Sequence, residues 1–204
     1  MRLACPVCEP RARANRGVEL DNLGRRAEAV LAYEQAVRLK PSYGAAYTNM
    51  GIALAKLRRW ADALRAYHEA IREQPEFADA HYNCGLALAG LGHWAEALEA
   101  FREAVRLHPT DADALYNMGL MLNLLGHHEE AVRAYSATVR VRPDYADAWG
   151  NLGMTTYLLG RHDDSLEAFE RARLLVPNYF DDRPTQRKAW AQSRQERPPL
   201  RASR

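Results

Sequence analysis

The sequence predicts an all-α protein built from five stacked helix–turn–helix repeats. Three observations carry this prediction. Prolines recur at a fixed interval of 34 residues, at Pro41, Pro75, Pro109, Pro143 and Pro177. Glycines recur at the same interval, at Gly17, Gly51, Gly85, Gly119 and Gly153. Between these markers, apolar residues follow helical spacing. A fixed period of this length indicates repeats that stack on one another.

Placing each proline at position 32 divides the chain into repeats that share the same residue types at several positions. The five repeats are then residues 10–43, 44–77, 78–111, 112–145 and 146–179. Position 8 is always glycine, position 20 is small, position 24 is aromatic and position 27 is alanine or threonine. In repeat four, for example, the last three positions hold Ala131, Tyr135 and Thr138.

The first helix of each repeat, helix A, is expected to cover about positions 1 to 14. A glycine in the left-handed conformation can close such a helix, and this role is predicted for Gly24, Gly92, Gly126 and Gly160. Repeat two has Arg58 at this point, which we expect to cost slightly more. The glycine at position 8 lies inside helix A and costs about 1 kcal/mol relative to alanine. We therefore expect it to face the alanine of position 20 in a close packing of two helices, with the aromatic residue of position 24 beside them.

The second helix, helix B, is predicted from apolar residues at helical spacing. In repeat two these are Trp60, Leu64, Tyr67 and Ile71. The proline at position 32 stops the helix. The next helix A is then expected to begin at a side-chain N-cap, for which the candidates are Ser42, Thr110 and Asp144. The acidic residues at position 2 are also expected to act first as caps at the helix start, namely Asp79, Asp113 and Asp147.

The two ends of the chain differ from the repeats. Residues 180–194 are predicted to form a polar capping helix, with Trp190 covering the open end of repeat five. Residues 1–9 are expected to be an unstructured leader and residues 195–204 a disordered basic tail. Repeat one has Arg13 and Arg16 at its first apolar positions. That substitution suits an end repeat with nothing stacked before it, and equally a docking surface or a chain that lacks upstream repeats.

The combination of glycine at 8, a small residue at 20, an aromatic at 24, alanine at 27 and proline at 32 resembles the tetratricopeptide repeat family. The resemblance covers residues 10–179. It implies a right-handed α-solenoid in which helix A residues line a concave groove, mainly at positions 2, 5, 6, 9, 12 and 13. It also implies a protein-binding role.

Position 6 of the groove is asparagine in every repeat: Asn15, Asn49, Asn83, Asn117 and Asn151. A primary amide both donates and accepts hydrogen bonds, so it can pair with the backbone of an extended peptide whatever its sequence. The pattern is similar to the asparagine ladder in the repeat domain of O-GlcNAc transferases. The alternative is that asparagine is simply common at this position in the family.

Other groove positions indicate the kind of ligand. The candidate peptide-binding residues are Tyr82, Tyr116, Leu120, Met154 and Tyr157. Amides, tyrosines and apolar side chains together suit a peptide of mixed apolar and neutral or basic character. The alternative is that some of the leucines form the core between repeats.

Composition restricts the partners. The net charge is +2, with +3 on residues 1–18, +6 on residues 183–204 and therefore −7 on the body between them. Neither the acidic body nor the invariant asparagine favours nucleic acid, including recognition by helical RNA-binding repeats. No apolar run reaches the length of about 18 residues needed to span a membrane, so no membrane insertion is predicted. Three cysteines offer no even disulfide framework, which favours a cytoplasmic location.

No catalytic residue, cofactor or metal site is predicted. Cys5 and Cys8 form a lone CxxC without a second ligand pair, so incidental thiols are preferred, with a zinc or dimer-bridging role left open. The sequence therefore predicts a non-catalytic scaffold that binds a protein or an extended peptide segment. The alternative is a targeting module or a fragment of a larger repeat-containing enzyme such as a glycosyltransferase. Self-association is left open.

Overall fold

The computed structural model describes residues 8–195, and within this range every element is a helix. The chain folds as two compact units, the first extending to Pro109 and the second beginning at Thr110. These are called the N-terminal unit and the C-terminal unit. No helix among the described residues is both long enough and apolar enough to cross a bilayer.

The N-terminal unit contains repeats one to three. Its helices are α1 (Cys8–Asn22), α2 (Arg26–Leu39), α3 (Gly44–Lys56), α4 (Trp60–Glu73), α5 (Ala78–Gly90) and α6 (Trp94–Leu107). The odd-numbered helices are helix A of each repeat and the even-numbered ones are helix B. Each helix packs against the next, and α3 also contacts α1 and α5. The A helices of this unit are therefore neighbours.

The C-terminal unit contains repeats four and five and one further helix. Its helices are α7 (Ala112–Leu124), α8 (His128–Val141), α9 (Ala146–Leu158), α10 (His162–Leu175) and α11 (Pro184–Gln195). Helix α11 packs on both α9 and α10. In the same way, α3 packs on both α1 and α2. Helix α11 thus takes the place that helix A of another repeat would occupy.

The turns between helix A and helix B adopt the predicted left-handed conformation. Gly24, Gly92, Gly126 and Gly160 have φ angles of 75°, 82°, 80° and 72°. Arg58 has a φ angle of 62°, so the same turn forms in repeat two without glycine. A left-handed residue other than glycine costs about 1–2 kcal/mol, so this turn is still expected to be the costlier one.

The glycine at position 8 packs against an aromatic ring. A Cβ atom placed on Gly119 would lie 2.6 Å from Cε1 of Tyr135, a side chain with no exposed surface. The same pairing of positions 8 and 24 recurs in all five repeats. The ring of position 24 is thus the nearest neighbour of the glycine. Position 20 lies beside it in repeat five, since Ser165 Oγ donates to the Gly153 carbonyl oxygen at 2.8 Å.

The predicted N-caps are also wrong. Helix α7 is capped by Asp111, whose carboxylate accepts the backbone N–H of Asp113 at 2.9 Å and that of Ala114 at 3.1 Å. The helices α3, α5 and α9 have no side-chain cap. The residues expected to be caps lie in the turn one position before the true N-cap: Ser42, Thr110 and Asp144. The proline turn thus occupies one residue more than the sequence pattern suggested.

The ends of the described chain also begin at different residues from those expected. Helix α1 begins at Cys8, so Cys8 and Glu9 are helical rather than part of a leader. Helix α11 begins at Pro184 rather than at residue 180, because proline suits the first helical position and Phe180 is needed in the core. Trp190 stacks on Phe180 with ring centroids 5.1 Å apart. Residues 1–7, with Cys5, and residues 196–204 lie outside the described range.

Two glycine-to-alanine substitutions in A helices test the ring contact. Gly119→Ala should lower the free energy of unfolding by about 1–3 kcal/mol, because the new methyl group overpacks against Tyr135. Gly90→Ala is the control, since its Cβ would meet Trp60 at an ordinary 3.6 Å. It should raise stability by up to about 1 kcal/mol through helix propensity. Urea unfolding gives both values, and a shift of the same sign in the two variants would contradict the packing argument.

Candidate peptide-binding site

In each unit the asparagines of position 6 form a column, with one asparagine per helix A: Asn15, Asn49 and Asn83 in the N-terminal unit, Asn117 and Asn151 in the C-terminal unit. Asn83 Nδ2 donates to the Asp79 carbonyl oxygen at 2.7 Å. Asn117 Nδ2 donates to the Asp113 carbonyl oxygen at 2.8 Å. Each bond returns to the carbonyl four residues earlier in the same helix. This bond fixes the orientation of the amide on the face of its helix.

Asn151 has a different environment from the other asparagines. Its Nδ2 donates to the Tyr116 hydroxyl at 3.0 Å, and its Oδ1 accepts from Gln186 Nε2 at 3.2 Å. The side chain therefore links α7, α9 and α11. Both functional groups of the amide are engaged inside the protein, so Asn151 is a joint between helices as well as a member of the column.

A second column of apolar residues runs beside the asparagines. Position 9 lies three residues after position 6 and therefore on the same helix face. Its members are Val18, Ile52, Leu86, Leu120 and Met154. Val18 is 40% exposed and Leu86 is 37% exposed, while Leu120 is half-buried. Met154 differs, because it packs on the buried cluster that includes Phe169 and Phe180 beneath α11.

The candidate tyrosines are half-buried, and each contacts other side chains of the protein. The Tyr82 ring lies 5.8 Å from that of Phe101. The Tyr116 ring stacks on Tyr145 with centroids 4.8 Å apart. Burial is the main cause that raises the pKa of Tyr116, so its hydroxyl stays protonated at neutral pH. Tyr157 donates its hydroxyl to Gln192 Oε1 of α11 at 2.6 Å.

Helix α11 thus engages three of the predicted site residues: Asn151, Met154 and Tyr157. Gln186 and Gln192 each lie 35 residues after their partners, one residue more than the repeat period. The contact therefore follows the repeat register, and extending that register into α11 was the signal that could have predicted it.

Both acidic residues on the A helices of the C-terminal unit are neutralised. Arg142 holds Asp113 through two bonds of 2.9 Å each, and Arg183 contacts Asp147 at 3.2 Å. The hydrogen bond from Arg142 is the main cause that lowers the pKa of Asp113. The expected capping role of these carboxylates is therefore replaced by ion pairs. Helices α7 and α9 contain no other charged residue.

No group of three metal-ligating side chains occurs among residues 8–195. Cys84 is buried, and burial raises the pKa of its thiol to about 11, so the thiol is protonated at neutral pH. The Cys8 side chain and Cys5 lie outside the described side chains. The surface that the predicted residues share is thus one of amides and apolar groups.

Repeated antiparallel helix pairs with such a surface on their A helices define a helical-repeat scaffold for protein interaction. Sequence comparison identifies the family: the tetratricopeptide repeat profile matches residues 10–43, 48–112, 85–134 and 124–179. These matches include most of the chain. The chain belongs to the tetratricopeptide repeat family.

Solved structures confirm the all-α solenoid fold. YrrB, described as a tetratricopeptide repeat protein with an unusual peptide-binding site, is 23% identical and has a TM-score of 0.74, with 90% of each chain covered. MamA from Desulfovibrio magneticus RS-1 is 22% identical with a TM-score of 0.72, covering 86% of this chain and 97% of its own. At these identities the likeness shows the fold alone. None of the curated protein sequences compared with the chain matches it.

The ion pair of Asp113 generates a prediction about its titration. Because the folded-state pKa is lowered from an ordinary 3.8, the pair stabilises the fold above that pH, and its contribution is lost as the pH falls through the lowered pKa. Arg142→Met should raise the pKa of Asp113 toward its ordinary value. Carboxyl-carbon NMR titration measures this change directly. An unchanged pKa in the variant would show that Arg142 does not hold the carboxylate in solution.

Proposed function

We propose that the chain is a non-catalytic scaffold that binds an extended peptide segment of a partner protein along the A-helix face. One observation carries this proposal: every helix A presents an asparagine at position 6 and an apolar side chain at position 9. The family supports it, since tetratricopeptide repeats are interaction scaffolds. The printed description of YrrB, which refers to a peptide-binding site, is consistent with it.

The two columns divide the work of recognition. Asparagine amides pair with backbone groups of the ligand, and apolar side chains at position 9 contact its side chains. Neighbouring helices pack about 8–10 Å apart, and an extended chain rises about 3.3 Å per residue. One asparagine therefore serves about every third residue of the ligand. Because the amides pair with backbone groups only, these contacts do not depend on the sequence of the ligand.

The N-terminal unit offers the most accessible part of this surface. Asn15 is exposed, Asn49 and Asn83 are half-buried, and no further helix of the kind represented by α11 is described over them. Val18 and Leu86 are the exposed members of the apolar column in this unit. In the C-terminal unit, Asn117 and Leu120 offer the same pair of groups. Asn151, Met154 and Tyr157 contribute mainly by holding α11.

The asparagine column is tested by substitution. A ligand peptide selected from a displayed peptide library is measured by calorimetry against the wild type and against Asn15→Ala, Asn49→Ala and Asn83→Ala combined. Each net hydrogen bond contributes about 0.5–1.5 kcal/mol, so affinity should fall roughly tenfold or more. The fold should survive, because alanine is the better helix former. His68→Ala combined with Arg133→Ala, both exposed on B helices, is the control and should bind normally.

The ligand offers a complementary test of backbone recognition. Methylating backbone nitrogens of the selected peptide removes its N–H donors without changing its side chains, and should weaken binding to the wild type. The same methylation should matter less to the triple alanine variant, because the acceptors are already gone. A triple variant that folds and binds undiminished would remove the asparagine column from the proposal.

A further inference from the structure

No described helix packs on the outer surface of repeat one, and this face has a distinct chemistry. It is formed by α1 and α2, and is called the N-terminal end face: Arg13, Arg16, Leu20, Leu31 and Gln35. Two adjoining cavities of about 250 Å³ and 330 Å³ lie here, and both are lined by Arg13 and Gln35. Leu31 is 58% exposed, above a floor that contains the buried Leu20.

The equivalent face of an inner repeat is covered by a helix. In repeat two the corresponding cavity, about 190 Å³, is lined at positions 4, 7 and 11 by Tyr47, Met50 and Leu54. Helix α2 of the preceding repeat packs on α3 and contributes Glu34 to the same cavity. The repeat architecture therefore shapes this face to receive a helix. In repeat two, that helix brings the acidic Glu34 to a cavity that Arg59 and Arg65 also line. Both arginines pair with Asp62.

The charges of the N-terminal end face are unbalanced. Arg13 donates to Gln35 Oε1 at 2.7 Å and lies 3.5 Å from the Glu9 carboxylate. The neighbouring Glu28 carboxylate is held by Arg25 through bonds of 2.7 and 2.6 Å. The hydrogen bond from Arg25 is the main cause that lowers the pKa of Glu28, and the charge of Arg16, which is exposed, contributes to the same shift. The residues that line the two cavities include three arginines and two glutamates, so the face combines an apolar floor with a small excess of positive charge.

We propose that the N-terminal end face binds an amphipathic helix of a partner protein, with small and medium apolar residues on one side and acidic residues flanking them. The apolar side packs on Leu20 and Leu31, and the acidic residues meet Arg13 and Arg16. This mode repeats the contact that α2 makes with repeat two. The surface is separate from the asparagine column, so it stands whether or not the proposed peptide site is correct.

The capping helix of a second copy of the chain is poorly suited to bind the N-terminal end face. The sequence of α11 contains no acidic residue, and its exposed charges are Arg187, Lys188 and Arg194. A head-to-tail arrangement would bring these side chains to Arg13 and Arg16, where like charges repel. The charge of the face therefore favours a different, acidic partner helix.

Two synthetic helical peptides of about five turns serve as probes on the full chain. Both carry leucine and alanine on one side, and their flanking residues are glutamate in one and lysine in the other. Fluorescence anisotropy should show the glutamate peptide binding about tenfold tighter than the lysine peptide at low salt. Arg16→Glu should abolish or reverse this preference. Leu31→Ser should weaken binding of both peptides.

Matched controls separate this face from general effects. Arg133→Glu and Leu174→Ser change an exposed arginine and an exposed leucine in the C-terminal unit, and both should leave binding unchanged. Equal binding of the two peptides, no binding of either, or the same losses in the control variants would overturn the proposal. Binding that appears only after deletion of residues 1–7 would also overturn it, because the chain's own leader would then be the occupant.

Discussion

The contact between a glycine and an aromatic ring sets the geometry on which the rest of each repeat depends. The ring of position 24 lies where a side chain at position 8 would stand, as Tyr135 does over Gly119. Helix A and helix B can approach closely only because the glycine has no Cβ. The constraint determines which face of helix A turns inward. The asparagine and apolar columns lie on another face of helix A, where most of their members are half-buried.

The repeat period and the helix pattern could be predicted because they rest on short-range rules that recur five times. Proline, glycine and apolar spacing were sufficient to place ten of the helices. The position of Gly126 at a left-handed turn followed from the same rules. The closest neighbour of Gly119 could not be predicted in this way. Alanine and tyrosine both lie on the inward face of helix B, and only the packed structure shows that the tyrosine ring comes nearest to the glycine.

The positions of the candidate site residues could be predicted from the sequence, but the hydrogen-bond partners of each residue could not. The sequence gives the same letter at Asn83 and Asn151, yet one bonds to its own helix and the other joins three helices. The difference comes from Tyr116 on α7 and Gln186 on α11, since the corresponding sequence positions for Asn83 hold Thr48 and Met118. The ion pair of Asp113 with Arg142 likewise depends on a residue that the other repeats lack, because none of them has arginine at the position of Arg142. The period does not predict contacts made by residues that differ between repeats.

Helix α11 gives repeat five a neighbour on the side that faces away from α8. Repeat five is covered on one side by α8 and on the other by α11, whereas repeat one has a described neighbour only in α3. In a repeat protein each element is stabilised mainly by its nearest neighbours. Opening α1 and α2 therefore disrupts one interface, and opening α9 and α10 disrupts two. Amide hydrogens in repeat one should therefore exchange before those in repeat five. A helix docked on the N-terminal end face would supply the missing interface and slow that exchange.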